Sequence, residues 1–260
     1  MLIGYTEVAH MPKRLLLVIA LLGTPAASSA QLRVIMSGGF AAAYQEILPA
    51  FEKSTGITVT TARGPSQGSG PDTISAKLRD GAPFDVVIIS VEGLSDLIAE
   101  DRIVRGTEVE LARSPLGVAV RAGMPKPDIS TVDSFKKALL RARSVASQSS
   151  AAIYLTTRLF PQLGIASEMA SKVKPGGADA AGRGDVELAV LPMSELLHAP
   201  GVDFVGTIPA EIQYPAVFDA AMVRGSNEPQ ASKRLIVFLS SESAAAAIRK
   251  SGMEPSTGSR

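Results

Sequence analysis

From Gln31 onward, short runs rich in β-branched residues alternate with stretches of helical period, and this alternation limits the chain to layered α/β architectures. Residues 32–36 read as a strand. Residues 40–53 place Phe40, Tyr44, Ile47, Leu48 and Phe51 on one helical face, with Pro49 predicting a kink and Gly56 suiting the cap that follows. Strands are expected at 57–61 and 84–89, with a helix at 72–79 between them. The second of these strands is continuously apolar, as in a parallel sheet covered on both faces. Further strands are expected at 117–120, 145–146, 187–191, 202–205 and 214–223. Ser130-Thr131-Val132-Asp133 resembles a capping box that opens a helix to about residue 142. Other helices are expected at 149–163, 229–239 and 242–250. The expected fold is α/β, with mainly parallel sheets and helices on both faces.

The 260 residues suit one large domain or two lobes, each able to bury a core. With 26 basic against 25 acidic residues, no overall field would attract nucleic acid. The chain has no cysteine, so neither a disulfide framework nor a thiolate site is available. Lys13 and Arg14 precede the apolar run 15–22, and small residues follow as far as Ala30. This pattern predicts a secretory signal peptide over residues 1–30, with translation starting at Met1 or Met11, and so a free periplasmic protein.

Several segments occur in a recognisable order: Ser37-Gly38-Gly39-Phe40, the run 51–59, Gly81-Ala82-Pro83-Phe84-Asp85-Val86, Gly184-Asp185-Val186-Glu187-Leu188-Ala189, and Phe238-Leu239-Ser240-Ser241 with Gly252-Met253. In this the chain resembles the molybdate-type periplasmic binding proteins, and more broadly the type II solute-binding proteins of ABC importers, across residues 32–255. The resemblance implies a two-lobed type II periplasmic binding protein fold. Crossings would fall near 113–116 and 209–214, so that lobe one comprises 32–112 plus 213–256 and lobe two comprises 113–212. It also implies a small anionic ligand in the cleft, closure about a hinge, and a membrane permease as partner. The receptor is expected to be monomeric, without a cofactor, and not an enzyme.

Four loops would face such a cleft. Ser37, Gly38 and Gly39 precede a helix, where free N–H groups and the helix dipole favour an anion. Ser66 and Ser69 lie in a second Gly/Ser loop, which Arg63 enters as a possible carboxylate partner. Ser149, Ser150 and Ala151 open a helix in the other lobe, and Ser90 ends a strand. Each such turn is also an ordinary N-cap when considered alone. The family's oxyanion shell is altered: Gly39 stands at a serine position, Gln67-Gly68-Ser69-Gly70-Pro71 lengthen the second loop, and Pro192 replaces a tyrosine. Each lost donor costs about 1–3 kcal/mol, so the expectation moves from molybdate or tungstate towards an organic carboxylate or another oxyanion in a roomier cleft. Tyr154 and Tyr214 are the phenols expected nearest to it, or else core and hinge packing.

Sequence signs of catalysis are sparse. His198 is the one histidine after residue 30, and it sits at a helix end where a capping role is expected. Asp85 reads as structural. No Gly-x-Ser-x-Gly, phosphate loop or dinucleotide fingerprint occurs, and no metal site is expected. The alternative to a transport receptor is an exported enzyme on the same scaffold acting on a small organic acid. A regulator's effector-binding domain would require a DNA-binding helix-turn-helix.

Overall fold

The computed structural model describes residues 30–256, together with Met1. The signal peptide expected over residues 1–30 therefore falls largely on residues outside those described. Eleven strands follow in chain order among the described residues: β1 Gln31–Met36, β2 Thr58–Arg63, β3 Val86–Ser90, β4 Val109–Ser114, β5 Leu116–Arg121, β6 Val145–Ser147, β7 Val173–Pro175, β8 Leu188–Pro192, β9 Val202–Thr207, β10 Ala216–Met222 and β11 Glu254–Pro255. They form two sheets. One has the order β11-β4-β10-β3-β1-β2 and the other the order β7-β6-β8-β5-β9.

Every residue of β3 is buried, as its unbroken apolar sequence implies. Val34, Met36, Val86 and Ile88 face a core closed by the helices Ala41–Thr55, Pro229–Leu239 and Glu242–Lys250. The intervening Ile35, Val87 and Ile89 face a second core with Ile74, Leu94 and Leu97. In the other lobe Val118 and Val190 pack on Phe135, Leu155 and Phe160, while Ala119 and Ala189 face a small-residue core with Ala181.

Both sheets are mixed. β1 pairs in parallel with β2 and β3, and β6 with β7 and β8. The antiparallel pairs involve β4, β5 and β10, the strands flanking the passages between sheets. A βα unit returns the chain to the same end of its sheet and so yields parallel neighbours, whereas a strand that arrives from the other lobe can run against them. The chain passes from one sheet to the other across Pro115 and returns between Thr207 and Ala216. Gln213 ties these passages together. Its Oε1 accepts the Leu116 N–H at 2.7 Å, and its Nε2 donates to the carbonyls of Leu116 at 3.1 Å and Ile208 at 3.2 Å.

Three local differences from the sequence reading have physical causes. The capping box is built one residue later, from Thr131 and Ser134, because Ser130 is occupied with the Asp128 carboxylate. Pro49 remains inside the helix Ala41–Thr55, which ends at Gly56 in the left-handed region, φ 70°. Strand β4, with the sequence VELARS, was not anticipated. Its β propensity is weak, and pairing with β10 and β11 makes it a strand.

Candidate active site

Each segment that reaches the cleft does so where a strand gives way to a helix. After β1, Ser37 donates its N–H to the Ile88 carbonyl at 2.9 Å, and Gly38–Phe40 form a 3₁₀ turn into the helix Ala41–Thr55. After β3, the Ser90 hydroxyl accepts the Gly93 N–H at 3.4 Å and caps the helix Val91–Ala99. The Ser90 N–H in turn donates to the Ser66 hydroxyl at 3.3 Å, which fixes the second loop against the start of the helix Val91–Ala99. From the other lobe, β6 leads into Ser149–Tyr154, a helix that continues through a π turn, Leu155–Leu159, to Leu163. Ser149 has φ 50°, an uncommon conformation for a non-glycine residue and one concentrated at functional sites. Pro192 ends β8 and turns the chain towards Glu195.

Ser37, Gly38, Ser66, Ser90, Ser149, Ser150, Ala151 and Pro192 converge on one cavity of about 30 Å³ between the lobes. Gly39 is buried directly behind it. A Cβ there would lie 2.1 Å from the Phe218 ring, so the close approach of the two requires glycine. Ser37 is buried, and its hydroxyl has no hydrogen-bond partner. An orphaned hydroxyl facing a cavity is a site that a ligand oxygen could satisfy. A second space of about 510 Å³ adjoins the first and shares Pro65, Gln148 and Ser149 with it.

The sequence reading missed the residue with the most distinctive chemistry here. Glu195 lines the small cavity, and its Oε2 accepts a hydrogen bond from Gln148 Nε2 at 3.0 Å. The carboxyl lies about 3.9 Å from the position a Gly38 Cβ would take, so it reaches from one lobe to the backbone of the other. Burial pushes its pKa above the ordinary carboxylate range, and the Gln148 hydrogen bond offsets this only in part. One signal was available in the sequence: an acidic residue in the first turn after a buried strand, at the strand end where open sheets place their ligands.

Other expected residues lie elsewhere. Arg63 and Ser69 are exposed and do not line the cavity. Tyr214 lies on the return passage and stacks on Tyr154, with ring centroids 4.6 Å apart. Its hydroxyl donates to Glu92 Oε1, and that of Tyr154 donates to the Ile212 carbonyl at 2.8 Å. These phenols connect the passage to the helices behind Ser90 and Ser149. Burial and the Glu92 carboxylate push the Tyr214 pKa up to about 12, and burial, with a smaller push from the Glu52 charge, does the same for Tyr44 against the Thr61 hydrogen bond. The folded state therefore holds these protons after the unfolded chain has lost them. The contribution of these two tyrosines to stability is expected to be constant below pH ~10 and to fall as pH rises towards about 12, as urea unfolding at graded alkaline pH would show.

His198 is exposed, with Nε2 3.3 Å from the Lys250 carbonyl. Asp85 is buried at the opposite end of β3 from the cavity. It accepts the Arg33 N–H at 2.9 Å and the Ser226 hydroxyl at 2.8 Å, a structural role.

Two mixed α/β lobes closed over a cleft of strand ends and helix starts define a type II periplasmic binding protein fold. The chain belongs to the family described as bacterial extracellular solute-binding protein, whose model matches residues 32–254. Among solved structures, the periplasmic molybdate-binding protein of Azotobacter vinelandii superposes with a TM-score of 0.70 at 19% identity, covering 85% of this chain and 98% of that one. A sulfate-binding protein of Mycobacterium tuberculosis gives 0.70 at 20% identity, covering 88% of each chain. A characterised relative from Pseudomonas sp., named aconitate isomerase, is 39% identical over 86% of this chain and 87% of its own length. That relative is an enzyme. The expectation that a chain of this kind is not an enzyme is thereby contradicted. It had rested on the resemblance to transport receptors and on the absence of familiar catalytic motifs.

Proposed function

We propose that the protein is an extracytoplasmic enzyme that moves a proton along a small unsaturated carboxylic acid, an allylic isomerase on a solute-binding scaffold. The observation that carries this reading is Glu195. The rest of the cavity offers hydroxyls and backbone N–H groups, enough to hold an anion, while Glu195 adds a desolvated carboxyl suited to proton transfer. The similarity to aconitate isomerase points to the same chemistry. The family, together with the leader read at residues 1–30, supports a periplasmic location.

A double-bond shift in such an acid needs no net oxidation. The carboxylate of Glu195 takes a proton from the methylene beside the alkene. That C–H pair delocalises over the three carbons and the adjoining carboxylate, and the same proton returns to the far alkene carbon. The starts of the helices at Ser37–Gly38 and Ser149–Ala151 stabilise the negative charge as it spreads. The glutamate ends the cycle ionised, as it began. The space of about 30 Å³ in the closed form is close to the volume of a water molecule, so substrate entry requires the lobes to part.

Proton nuclear magnetic resonance of cis-aconitate incubated with the purified protein tests the reading directly. Catalytic appearance of the trans isomer supports it. Saturable binding without conversion would instead leave a transport receptor delivering its ligand to a membrane permease. Because burial raises the pKa of Glu195, the active carboxylate should be lost on acidification before ordinary carboxylates protonate. The acidic limb of kcat/KM is accordingly expected above the unperturbed glutamate value of ~4.3.

A further inference from the structure

We infer that the preferred substrate carries one carboxylate and an otherwise uncharged, mainly apolar arm, rather than the three carboxylates of aconitate. This rests on the proposed allylic chemistry for its setting, but it concerns which acid the cleft selects.

The argument begins with charge. No lysine, arginine or histidine among the described residues lines either the small cavity or the adjoining space. The ionisable side chains that do are both acidic, Glu195 in the first and Asp72 in the second. Among the described lining segments, positive potential comes from helix starts: the turn at Ser37–Gly38, the cap at Ser90 and the turn at Ser149–Ala151. Each such start is equivalent to about half a positive charge, so three of them supply about one and a half, enough for one carboxylate and short of three. Further carboxylates would leave water without a countercharge and would face Asp72 and Glu195.

Shape leads to the same conclusion. The adjoining space, about 510 Å³, falls within the range of small-molecule sites, and Pro65, Ala152, Ile153, Val173 and Pro175 give it largely carbon walls. Ile153 is 47% exposed on this wall, a large apolar side chain left for something to cover. Gln67 also borders the space, and its buried amide oxygen has no partner. The unmet polar need there belongs to a neutral amide and suits a neutral hydrogen-bonding group. The loop that supplies Gln67 and Pro71 is the one lengthened relative to the molybdate-type pattern.

Calorimetric titration of the full-length protein tests this with three acids of graded charge: aconitate, with three carboxylates; mesaconate, with two and a methyl group; and 3-hexenoate, with one and an aliphatic arm. Affinity at pH 7 is expected to rise along that series, with 3-hexenoate at least about tenfold tighter than aconitate. Changing Ile153→Arg, an exposed position, should reverse the order by placing a cation on the wall. Tightest binding of aconitate by the unaltered protein overturns the inference, as does binding of none of the three. An unchanged order in Ile153→Arg overturns the assignment of the arm to this space. Affinity is read independently of turnover, so a protein that isomerises aconitate yet binds it best keeps its proposed reaction and loses only this inference. Binding in the expected order without conversion has the opposite meaning.

Discussion

Replacing Glu195 with glutamine is expected to lower kcat for the isomerisation by about 10²–10⁴-fold, the range typical of removing a positioned acid–base group, with a much smaller change in KM. Glutamine keeps the shape and can still accept from Gln148 Nε2, so the anion-holding donors around the cavity should remain in place. The same change is expected to stabilise the fold at neutral pH. Because the folded-state pKa is raised, burial of this carboxyl costs nothing below the unfolded value of ~4.3 and becomes unfavourable as pH rises through the folded value. The variant should therefore melt at a higher temperature than the parent near pH 7, and the difference should vanish in acid. Loss of turnover with a gain in Tm is the signature of a strained functional group. Unchanged turnover would remove Glu195 from the mechanism, and a lower Tm would mean that its carboxylate is better solvated than its position implies.

Gly39→Ala is expected to produce the second large effect, this time on structure. The added methyl would sit 2.1 Å from one Phe218 ring atom and 2.5 Å from another. Phe218 is buried within β10 and also lines the cavity, so the ring has no solvent to swing into. Overpacking of this kind costs about 1–3 kcal/mol, and a chain of this size loses about 2–4 °C in Tm for each kcal/mol. Ligand affinity should fall with it, because both the turn at Ser37–Gly38 and the Phe218 wall must move. Gly70→Ala is the matching control. A Cβ there meets nothing within 4 Å, and thermal melting should be unaffected. Equal melting of the two variants would show that the ring yields freely.

Much of the cleft could be read from the chain because it is local. A Ser/Gly turn between a strand and a helix exposes N–H groups wherever it occurs, and Ser37, Gly38, Ser90 and Ser149–Ala151 all lie at such junctions. Arg63 illustrates the limit. It ends β2 at the entrance to a Gly/Ser loop, yet it is exposed, and its carbonyl accepts from the Lys77 ammonium at 3.0 Å. Direction along a strand end depends on the neighbouring loop, and residue type does not encode it. The assumption of a receptor without catalysis is overturned by the relative named aconitate isomerase; it had rested on the absence of nucleophile and dyad motifs.

The sequence alone determined the α/β alternation, the strand-to-helix junctions and the family likeness, since each follows from periodicity or contiguous residues within one segment. Tertiary structure decided the rest. Gln148 and Glu195 are 47 residues apart, and Gly38 lies in the other lobe, so their meeting depends on two sheets closing on each other. The same closure partly buries the Glu195 carboxyl and raises its pKa, a property of surroundings that no single segment carries. That no cation lines the cleft among the described residues is likewise a fact about the assembled cleft, because Arg63 lies near it in sequence and outside it in space.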